Sequence, residues 1–511
     1  MRAEAQYGVL MRLPLFLQVW GIASLSMWVP AIYAEVRSVH QVSQAFFFSG
    51  MIGLVAVTAI ALARAAHPPK YGSLGQLLAL LATFALLPVF LALPLYDGLQ
   101  TTSYLNAYFD MVSAVTTTGA NLFEDPSRLD PALHLWRAQV GWMGGLVMWI
   151  AASAILAPLS LGGFEITARG QPGRAVASPD LSARADPRRR LKRITLTLTP
   201  VYVGLTLLAW VALMIAGEEG LTALCHAMSV MATSGISPVG GMEGSQAGFA
   251  GELILFFFMF FALSRLTFSS DTSATGQDRF DKDPEFRTGL LIIVTIPVLL
   301  VLRHWLAALE VQPLADPALA FEGLWGGLFT VTSFLTTTGF ASVNWDEAQQ
   351  WSGLGAPGLI LAGLAVMGGG VATTAGGVKL LRVYALYLNG LREMERLVYP
   401  NSIGGGSSGG NRRIQKNGAF IAWVSFMMFA LSLSLVCVIL GALGLSFDQA
   451  IVLSIASLST TGPLIQVAAD TPIHLAELGG LAKLVLCATM VLGRLETLAI
   501  IALITPDLWR N

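Results

Sequence analysis

Long apolar runs dominate the hydropathy pattern of this chain, and polar connections separate them. Each run is about as long as the roughly 20 residues that an α-helix needs to cross the hydrocarbon core of a bilayer. The first run follows a basic N-terminal segment, as in a signal peptide, but a second apolar run begins soon afterwards, and this favours an uncleaved helix. The pattern therefore predicts ten membrane-spanning helices, at residues 13–34, 43–63, 74–95, 138–158, 194–216, 250–268, 288–309, 356–375, 418–445 and 478–504.

Four shorter segments of mixed polarity lie between successive pairs of the later runs, and they are too short and too polar to span a bilayer. They occupy residues 104–119, 220–235, 321–339 and 447–462. Each segment ends in Thr or Ser residues followed by glycine, and this recurrence at a fixed place is an internal repeat. We call the four endings the Thr/Gly loops; they are Thr116–Gly119, Ala232–Gly235, Thr336–Gly339 and Ser459–Gly462.

The predicted fold is an all-α integral membrane protein. Two N-terminal transmembrane helices precede four tandem helix-pore loop-helix repeats around a pseudo-fourfold pore. The expected boundaries are 1–70 for the N-terminal helices and 71–165, 166–275, 276–400 and 401–511 for the repeats.

The Thr/Gly loops carry the chemistry that the pattern predicts. Irregular backbone at membrane depth must be buried in protein or line a wet cavity. A short helix that ends halfway across the membrane directs its C-terminal carbonyl groups, the negative end of its dipole, toward the axis. Glycine permits a positive φ, and Thr and Ser add hydroxyl oxygens. Four such loops around one axis would replace the hydration shell of a monovalent cation.

Composition and charge support a membrane protein. Hydrophobic residues make up 55% of the chain and charged residues 12%, which excludes an ordinary soluble enzyme and a disordered chain. Most of the 30 Lys and Arg residues fall in loops on one side of the predicted helices, and this asymmetry predicts that both termini are cytoplasmic. The opposite face is net acidic, which would concentrate cations there.

Other chemistry finds little support in the sequence. The three cysteines (Cys225, Cys437, Cys487) and six histidines form no metal-ligand spacing, and we expect the cysteines to be packing residues. A membrane enzyme is therefore a weak alternative, and nucleic-acid binding is not supported. A secondary transporter with broken helices that couples cation entry to H⁺ or Na⁺ is the other alternative, although its repeats would commonly be inverted.

A glycine-rich stretch interrupts the last apolar run of the third repeat. Five glycines fall between residues 368 and 377, and each costs a helix about 1 kcal/mol relative to alanine. We expect the helix to be broken there, and we call residues 368–377 the glycine loop. Close helix packing through small residues is one alternative. A phosphate-binding loop is another, but no GK[ST] sequence follows.

These segments resemble the Trk/Ktr/HKT superfamily of potassium transporters, and most closely its bacterial TrkH-type membrane subunits. The matching stretches are Ser113–Ala120, Thr336–Phe340 and Ser457–Pro463, with Met231–Ser237 the loosest, and the resemblance covers essentially the whole chain. It implies potassium uptake across the bacterial inner membrane. It also implies a K⁺ selectivity filter made of Thr116, Thr117, Thr118, Gly119, Thr233, Ser234, Gly235, Thr336, Thr337, Thr338, Gly339, Thr460, Thr461 and Gly462.

Glycine stands at the filter position of all four repeats. In this family a serine at the first of these positions is associated with Na⁺ permeation. The resemblance therefore favours K⁺ over Na⁺ here.

The resemblance assigns a gate below the filter. Arg494 would add a positive barrier near the gate, with Glu496 as a weaker structural partner; a snorkelling arginine or an internal Arg–Glu pair is the alternative. The gate residues would be Gly368, Gly369, Gly370, Thr373, Thr374, Gly376, Gly377 and Arg494.

The resemblance also implies partners. They are a second copy of the chain and a cytosolic, nucleotide-binding regulatory subunit of the TrkA type, docked on the basic loop 164–193 and on the segment Gly404–Arg413. Solvated cytoplasmic loops are the alternative interpretation of both segments. The chain has no dinucleotide-binding fingerprint after a predicted strand, so we expect no cofactor in it, only K⁺ as the transported ion. Channel conduction, H⁺ symport and Na⁺ symport remain open.

Overall fold

The computed structural model describes residues 13–64, 73–158, 161–164, 187–264, 283–308, 317–352, 357–398, 418–469 and 471–496. Every regular element within these ranges is a helix. The all-α prediction is therefore confirmed.

Prolines explain two interruptions near the N-terminus. The span Leu15–Val36 is divided at Met27, and the following helix carries Pro30 in its first turn. The span Gly75–Leu99 is divided at Leu86, and Pro88 lies at the start of the second half. Proline has no N–H for a helical hydrogen bond, and its ring crowds the preceding turn. The helices of this region are α1 (Leu15–Ser26), α2 (Trp28–Val36), α3 (His40–Arg64), α4 (Ser73–Ala85) and α5 (Leu87–Leu99).

The remaining helices follow the predicted repeats. Each repeat has a first helix, a short central helix that leads into a Thr/Gly loop, and a second helix. The first helices are α5 with α4, α8 (Pro187–Ile215), α11 (Pro284–Ala308) and α16 (Gly418–Ala442); the central helices are α6 (Tyr104–Val115), α9 (Gly220–Ala232), α12 (Pro317–Leu335) and α17 (Phe447–Leu458); the second helices are α7 (Pro131–Ala151), α10 (Gly248–Met259), α14 (Pro357–Met367) and α19 (Gly480–Leu495).

Three further helices connect these elements. Helix α15 follows the glycine loop, and its apolar and polar residues segregate to opposite faces. The other two lie in the connections that follow Thr/Gly loops. The three helices are α13 (Trp345–Ser352), α15 (Leu380–Val398) and α18 (Leu464–Ala468).

Polar caps start two of the central helices. The Ser103 hydroxyl accepts a hydrogen bond from the backbone N–H of Asn106, at 3.3 Å. Ser446 and Gln449 cap each other reciprocally at the start of α17. These bonds satisfy N–H groups that have no partner inside the helix. The helices α6 and α17 are 12 residues long, about 18 Å at 1.5 Å per residue, so they end inside a bilayer.

Seven described helical segments are long and apolar enough to span a membrane, including the N-terminal pair and the first helix of every repeat. The second helices of repeats two, three and four are shorter than predicted. Helix α10 continues only as a 3₁₀ turn to Ala262, α14 ends at Met367, and α19 ends at Leu495. The predicted spans 250–268 and 478–504 extend beyond the described residues. The interruption expected in span 356–375 is present.

Some predicted features lie outside the described residues. They include most of the basic loop 164–193 and the whole segment 404–413. The three cysteines are described, and all are free thiols; Cys225 and Cys487 are buried and Cys437 is half-buried, as expected of packing residues.

Candidate ion pathway

The four Thr/Gly loops share one pattern of backbone hydrogen bonds. In each loop, the N–H of the residue before the glycine returns to the carbonyl five positions earlier in the central helix. The bonds are Thr118 to Ser113 (2.8 Å), Ser234 to Ser229 (3.0 Å), Thr338 to Ser333 (2.8 Å) and Thr461 to Ala456 (2.8 Å). With the N–H groups turned back to the helix, the carbonyl groups of the loops are left to face other partners.

Positive φ angles reverse the chain at the same position in every loop. The residue two positions before the glycine is a threonine with φ between 52° and 57° in all four: Thr117, Thr233, Thr337 and Thr460. A β-branched residue in this region is strained, and such strain is found at functional sites. Its fourfold recurrence indicates a backbone shape that the fold imposes.

Glycine is used differently in the fourth loop. Gly119, Gly235 and Gly339 have φ values of 68°, 64° and 87°. Gly462 does not adopt a positive φ, so the expected role of glycine is wrong for this loop. Pro463 follows it, and a residue before proline is driven toward extended backbone. Gly462 is needed for space instead, because a Cβ there would overlap the backbone of Ala120.

The four glycines converge on one another in cyclic order. A Cβ on Gly119 would overlap the carbonyl oxygen of Ser234, and one on Gly235 would overlap that of Thr338. A Cβ on Gly339 would lie 2.9 Å from Pro463 of the fourth loop. The fourth loop returns to the first, because the N–H of Gly462 donates to the carbonyl of Thr118 at 2.6 Å. The repeats thus surround one axis in the order one, two, three, four.

Hydroxyl groups fix three of the four loops. The first residue of each loop bonds back to its own central helix: Thr116 Oγ1 to Val112 O at 2.7 Å, Thr336 Oγ1 to Thr332 O at 2.9 Å and Ser459 Oγ to Ile455 O at 2.7 Å. Ala232 occupies this position in the second loop and has no hydroxyl. Threonine or serine at this position therefore stabilises the loop, a role that differs from ion ligation.

Further hydroxyls lie at the positive-φ threonines. The Oγ1 atoms of Thr117 and Thr460 are buried and have no hydrogen-bond partner among the described residues. Thr233 Oγ1 donates to the carbonyl of Ala232 at 2.7 Å. Thr337 Oγ1 accepts from the glycine loop, as described below. A Cβ on Gly376 would overlap Thr460 Oγ1, so this hydroxyl lies against the glycine loop.

A polar cavity of about 390 Å³ opens beyond the glycines. Its walls come from the connections that follow the first, second and third glycines, from α18, and from Arg137 of α7, whose charge is paired with Asp110. Gly119, Gly235 and Gly339 lie at its base, and Glu243 and Asp346 are among its lining residues. The cavity has the shape of a vestibule leading to the four loops, and its acidic side chains favour cations.

On the other side, the glycine loop lies directly against the Thr/Gly loops. The N–H of Gly376 donates to Thr337 Oγ1 at 2.8 Å, and Thr374 Oγ1 donates to the carbonyl of Met231 at 3.1 Å. A Cβ on Gly376 would overlap the carbonyl of Ser459. The glycine loop therefore contacts the second, third and fourth repeats together.

The glycines of this loop allow it to fold back on itself. Gly368 and Gly377 have φ values of 70° and 74°, and a Cβ on Gly368 would overlap the carbonyl of Gly376. Gly369 and Gly370 pack on the end of α10; the N–H of Gly370 donates to the carbonyl of Ala262 at 2.9 Å. Thr373 Oγ1 donates to the carbonyl of Gly370 at 2.8 Å. The predicted interruption is thus a compact turn.

Arg494 reaches this loop from α19. It is 3% exposed, and its Nη1 donates to the carbonyl of Thr374 at 2.6 Å. Its Nε and Nη2 have no hydrogen-bond partner among the described residues. Glu496, the expected partner, forms no direct ion pair with Arg494; its Oε2 accepts from Arg382 Nη2 at 2.7 Å. Arg494 therefore places an incompletely compensated positive charge beside the glycine loop.

Buried ionisable groups that the sequence did not single out support the site. Glu252 Oε1 accepts from the N–H of Val343, just beyond the third glycine, at 2.7 Å, and Glu285 Oε1 accepts from the N–H of Val371 in the glycine loop at 3.0 Å. Asp110 on α6 pairs with Arg137 on α7 at 2.9 Å. The only sequence signal for these groups was an ionisable residue inside or beside an apolar run.

Comparisons with known proteins agree with this architecture. Residues 42–508 match the TrkH family, described as cation transport protein. The Trk system potassium uptake protein TrkH of Vibrio parahaemolyticus is 30% identical over 414 residues, 80% of each chain. TrkH of Escherichia coli K12 is 29% identical over 407 residues, again 80% of each chain. The potassium uptake protein TrkI of Halomonas elongata is 27% identical and covers 96% of this chain and 95% of its own.

The fold also matches a solved structure. The crystal structure of the potassium transporter TrkH from Vibrio parahaemolyticus aligns with a TM-score of 0.80 at 24% identity, over 99% of this chain and all of that one. This chain belongs to the TrkH family of cation transport proteins.

Proposed function

We propose that the chain is the membrane subunit of a Trk-type system and carries K⁺ into a bacterial cell through the axis of the four Thr/Gly loops. The observation that carries this proposal is the cyclic convergence of four loops with a glycine in every repeat. The relatives named as potassium uptake proteins support K⁺ as the ion. No catalytic step is part of the proposal.

The ligands for K⁺ are oxygens of the Thr/Gly loops. The carbonyls of Ser234 and Thr338 already face the glycines of the neighbouring repeats. At the inner end, the unpartnered hydroxyls of Thr117 and Thr460 add two oxygens. Neutral carbonyl and hydroxyl oxygens replace the water around a large monovalent cation. K⁺ is cargo in this scheme, and the chain needs no resident metal.

The glycine loop and Arg494 form the gate. The loop is held beneath the filter by the Gly376–Thr337 bond, and Arg494 is bonded to the loop at Thr374. Opening requires the loop to leave its contacts with the second, third and fourth repeats. The positive charge of Arg494 opposes a cation that leaves the filter while the loop is in place.

The proposed orientation places both termini in the cytoplasm and the acidic vestibule outside, in the bacterial inner membrane. The bias of Lys and Arg toward one set of loops supports it. The division into an N-terminal part, 1–70, and repeats at 71–165, 166–275, 276–400 and 401–511 is part of the same proposal, because each boundary falls between successive helix triplets.

The assembly we propose contains two copies of the chain and a cytosolic nucleotide-binding subunit of the TrkA type. Its support is the family to which the chain belongs. A movable partner beneath the gate would supply the energy to displace the glycine loop, since a ligand shifts an equilibrium only through its different affinities for the two states.

Growth on limiting K⁺ tests the proposed function. A bacterium that lacks its own K⁺ uptake systems is expected to grow at low K⁺ when it expresses this chain with a Trk regulatory subunit. Gly339→Ser is expected to abolish that growth, because the added side chain meets Pro463. Gly441→Ser is the matched control, since a Cβ there meets nothing within 4 Å.

Two results would overturn the proposal. One is wild-type protein that is present in the membrane with its partner and supports no growth at low K⁺. The other is equal growth of the Gly339→Ser strain and the Gly441→Ser strain.

A further inference from the structure

A large apolar cleft lies on the flank of the helix bundle, between α1, α4, α7 and α8. Its volume is about 680 Å³, and it shares no lining residue with the vestibule. Because its walls are transmembrane helices, it faces the acyl chains of the bilayer. We propose that this cleft is a binding site for one anionic phospholipid.

Cationic residues stand at one end of the cleft. Arg64 is the last residue of α3, and Lys192 lies near the start of α8. Gln18 and Gln76, in the first turns of α1 and α4, line the same end. These four positions come from helix ends on one side of the membrane, so they lie at the level of lipid headgroups.

The remainder of the cleft is mostly apolar. Ile22, Leu78, Leu146, Ile150 and Leu196 are among the side chains that line it. This part is suited to an acyl chain, and burying each CH₂ group of the chain is favourable by roughly 0.8 kcal/mol in the general case.

The far end of the cleft is closed by a polar contact between two of its walls. Gln139 on α7 is 6% exposed, and its Nε2 donates to the carbonyl of Ser26 on α1 at 2.9 Å. The cleft therefore has a cationic end, an apolar middle part that we call the shaft, and a closed far end. These features match the headgroup and an acyl chain of a single lipid.

Charge complementarity selects an anionic lipid. None of the described residues that line the cleft is acidic. The side chains of Arg64 and Lys192 are exposed and make no ion pair or hydrogen bond with a described residue. A zwitterionic lipid would fill the shaft but bring its own cation with its phosphate, so it would leave the two positive charges without net compensation, and a soluble phosphate would leave the shaft empty.

The leaflet follows from the orientation proposed above. Arg64 and Lys192 adjoin loops that the positive-inside bias places in the cytoplasm. The headgroup is therefore that of a lipid in the inner leaflet. This site is separate from the ion pathway, so its test does not depend on K⁺ transport.

Native mass spectrometry tests the site directly. Wild-type protein would be exchanged into mixed vesicles of phosphatidylglycerol and phosphatidylcholine, extracted gently and weighed with its retained lipids. We expect one phosphatidylglycerol per chain to be retained in preference to phosphatidylcholine. In Arg64→Gln/Lys192→Gln protein its affinity is expected to fall roughly twenty- to thirtyfold, about fivefold for each basic residue removed.

Two further variants separate this site from general surface attraction. Arg193→Gln/Arg392→Gln removes two exposed basic residues that do not line the cleft, and it is expected to retain the lipid as wild type does. Ala79→Trp fills the shaft without a change of charge and is expected to abolish retention. Equal retention of both lipids by wild type, retention of neither, or equal loss in the two double variants would overturn the proposal.

Discussion

At the scale of single residues, the Thr/Gly loops show why glycine stands at one position of every repeat. Three of the glycines have a positive φ, and all four leave no room for a side chain because another loop lies against them. An L-residue pays about 1–2 kcal/mol in the left-handed region even where space is available. The requirement for glycine is therefore both conformational and steric.

Gly119→Ser is expected to lower the preference for K⁺ over Na⁺ by about tenfold or more. The new Cβ would overlap the carbonyl of Ser234 and push that oxygen off the axis, and a loss of about 1.4 kcal/mol corresponds to tenfold. The permeability ratio measured from reversal potentials checks this. A ratio equal to that of Gly441→Ser would place Gly119 outside the filter.

Arg494→Gln is expected to raise cation flux through the closed protein several-fold. Glutamine removes the charge but keeps a donor for the carbonyl of Thr374, so a rise in flux reports on charge. Arg494→Lys keeps the charge and is expected to behave like wild type. If Arg494→Gln and Arg494→Lys give equal flux in inserted protein, the positive charge is not the barrier.

The sequence predicted much of the site at this scale and missed part of it. The Thr/Gly repeats and the glycine loop were visible because they recur or because they break an apolar run. The pairing of Glu496 with Arg382 was not visible in the sequence. These residues are 114 positions apart, and their contact depends on how α15 and α19 pack. The absence of a positive φ at Gly462 has a local signal in the sequence, the proline that follows it.

At the scale of elements, the described second helices of repeats two, three and four are short, and a compact turn follows α14. Helices α10, α14 and α19 all end near the Thr/Gly loops, and the glycine loop packs on the end of α10. Hydropathy predicted full spans at 250–268 and 478–504 because it reports apolar content and not helix continuity, whereas the glycines of 356–375 predicted the break in that span. Buried carboxylates then supply partners for backbone N–H groups that the broken helices leave free.

Glu285→Ala is expected to loosen the glycine loop and raise closed-state flux. Its Oε1 accepts from the N–H of Val371, and an unsatisfied buried N–H costs about 1–3 kcal/mol. Flux in proteoliposomes, with the elution profile of the purified protein as a check on folding, measures the effect. Glu393→Ala, an exposed residue on α15, is the control; equal flux in the two variants would show that Glu285 does not hold the loop.

At the scale of the whole molecule, the four repeats close into a ring. On the vestibule side, a contact between distant parts of the chain joins the ends of this ring: His474, after the fourth Thr/Gly loop, bonds through Nδ1 to Glu124, after the first, at 2.8 Å. The four repeats and the pore between them were predicted from the recurring Thr/Gly endings, but their order around the axis was not. This closing contact was not predicted either, because both residues lie in polar connections.

The contact between His474 and Glu124 is expected to make stability depend weakly on pH. Its hydrogen bond to Glu124 raises the pKa of His474 above the usual value, so the contribution is present at low pH and is lost as pH rises through that raised pKa. The melting temperature of wild type should therefore exceed that of His474→Gln near pH 5.5, and the two should converge near pH 8. A difference independent of pH would contradict the charged pair.

The K⁺ pathway through the four Thr/Gly loops is tested most directly by influx of ⁸⁶Rb⁺, a tracer for K⁺, into proteoliposomes. The protein would be Arg494→Gln, because this change weakens the proposed barrier. The driving force would be a K⁺ gradient, with and without Na⁺ and pH gradients, and Arg494→Gln/Gly339→Ser and Arg494→Gln/Gly441→Ser would be measured alongside. We predict that influx through Arg494→Gln protein follows the K⁺ gradient and resists competition by Na⁺. The added Gly441→Ser change should leave this influx unaltered, whereas the added Gly339→Ser change should remove the resistance to Na⁺. Influx that is equal in all three proteins, or absent from all three in correctly inserted protein, would contradict a K⁺ pathway through the four Thr/Gly loops.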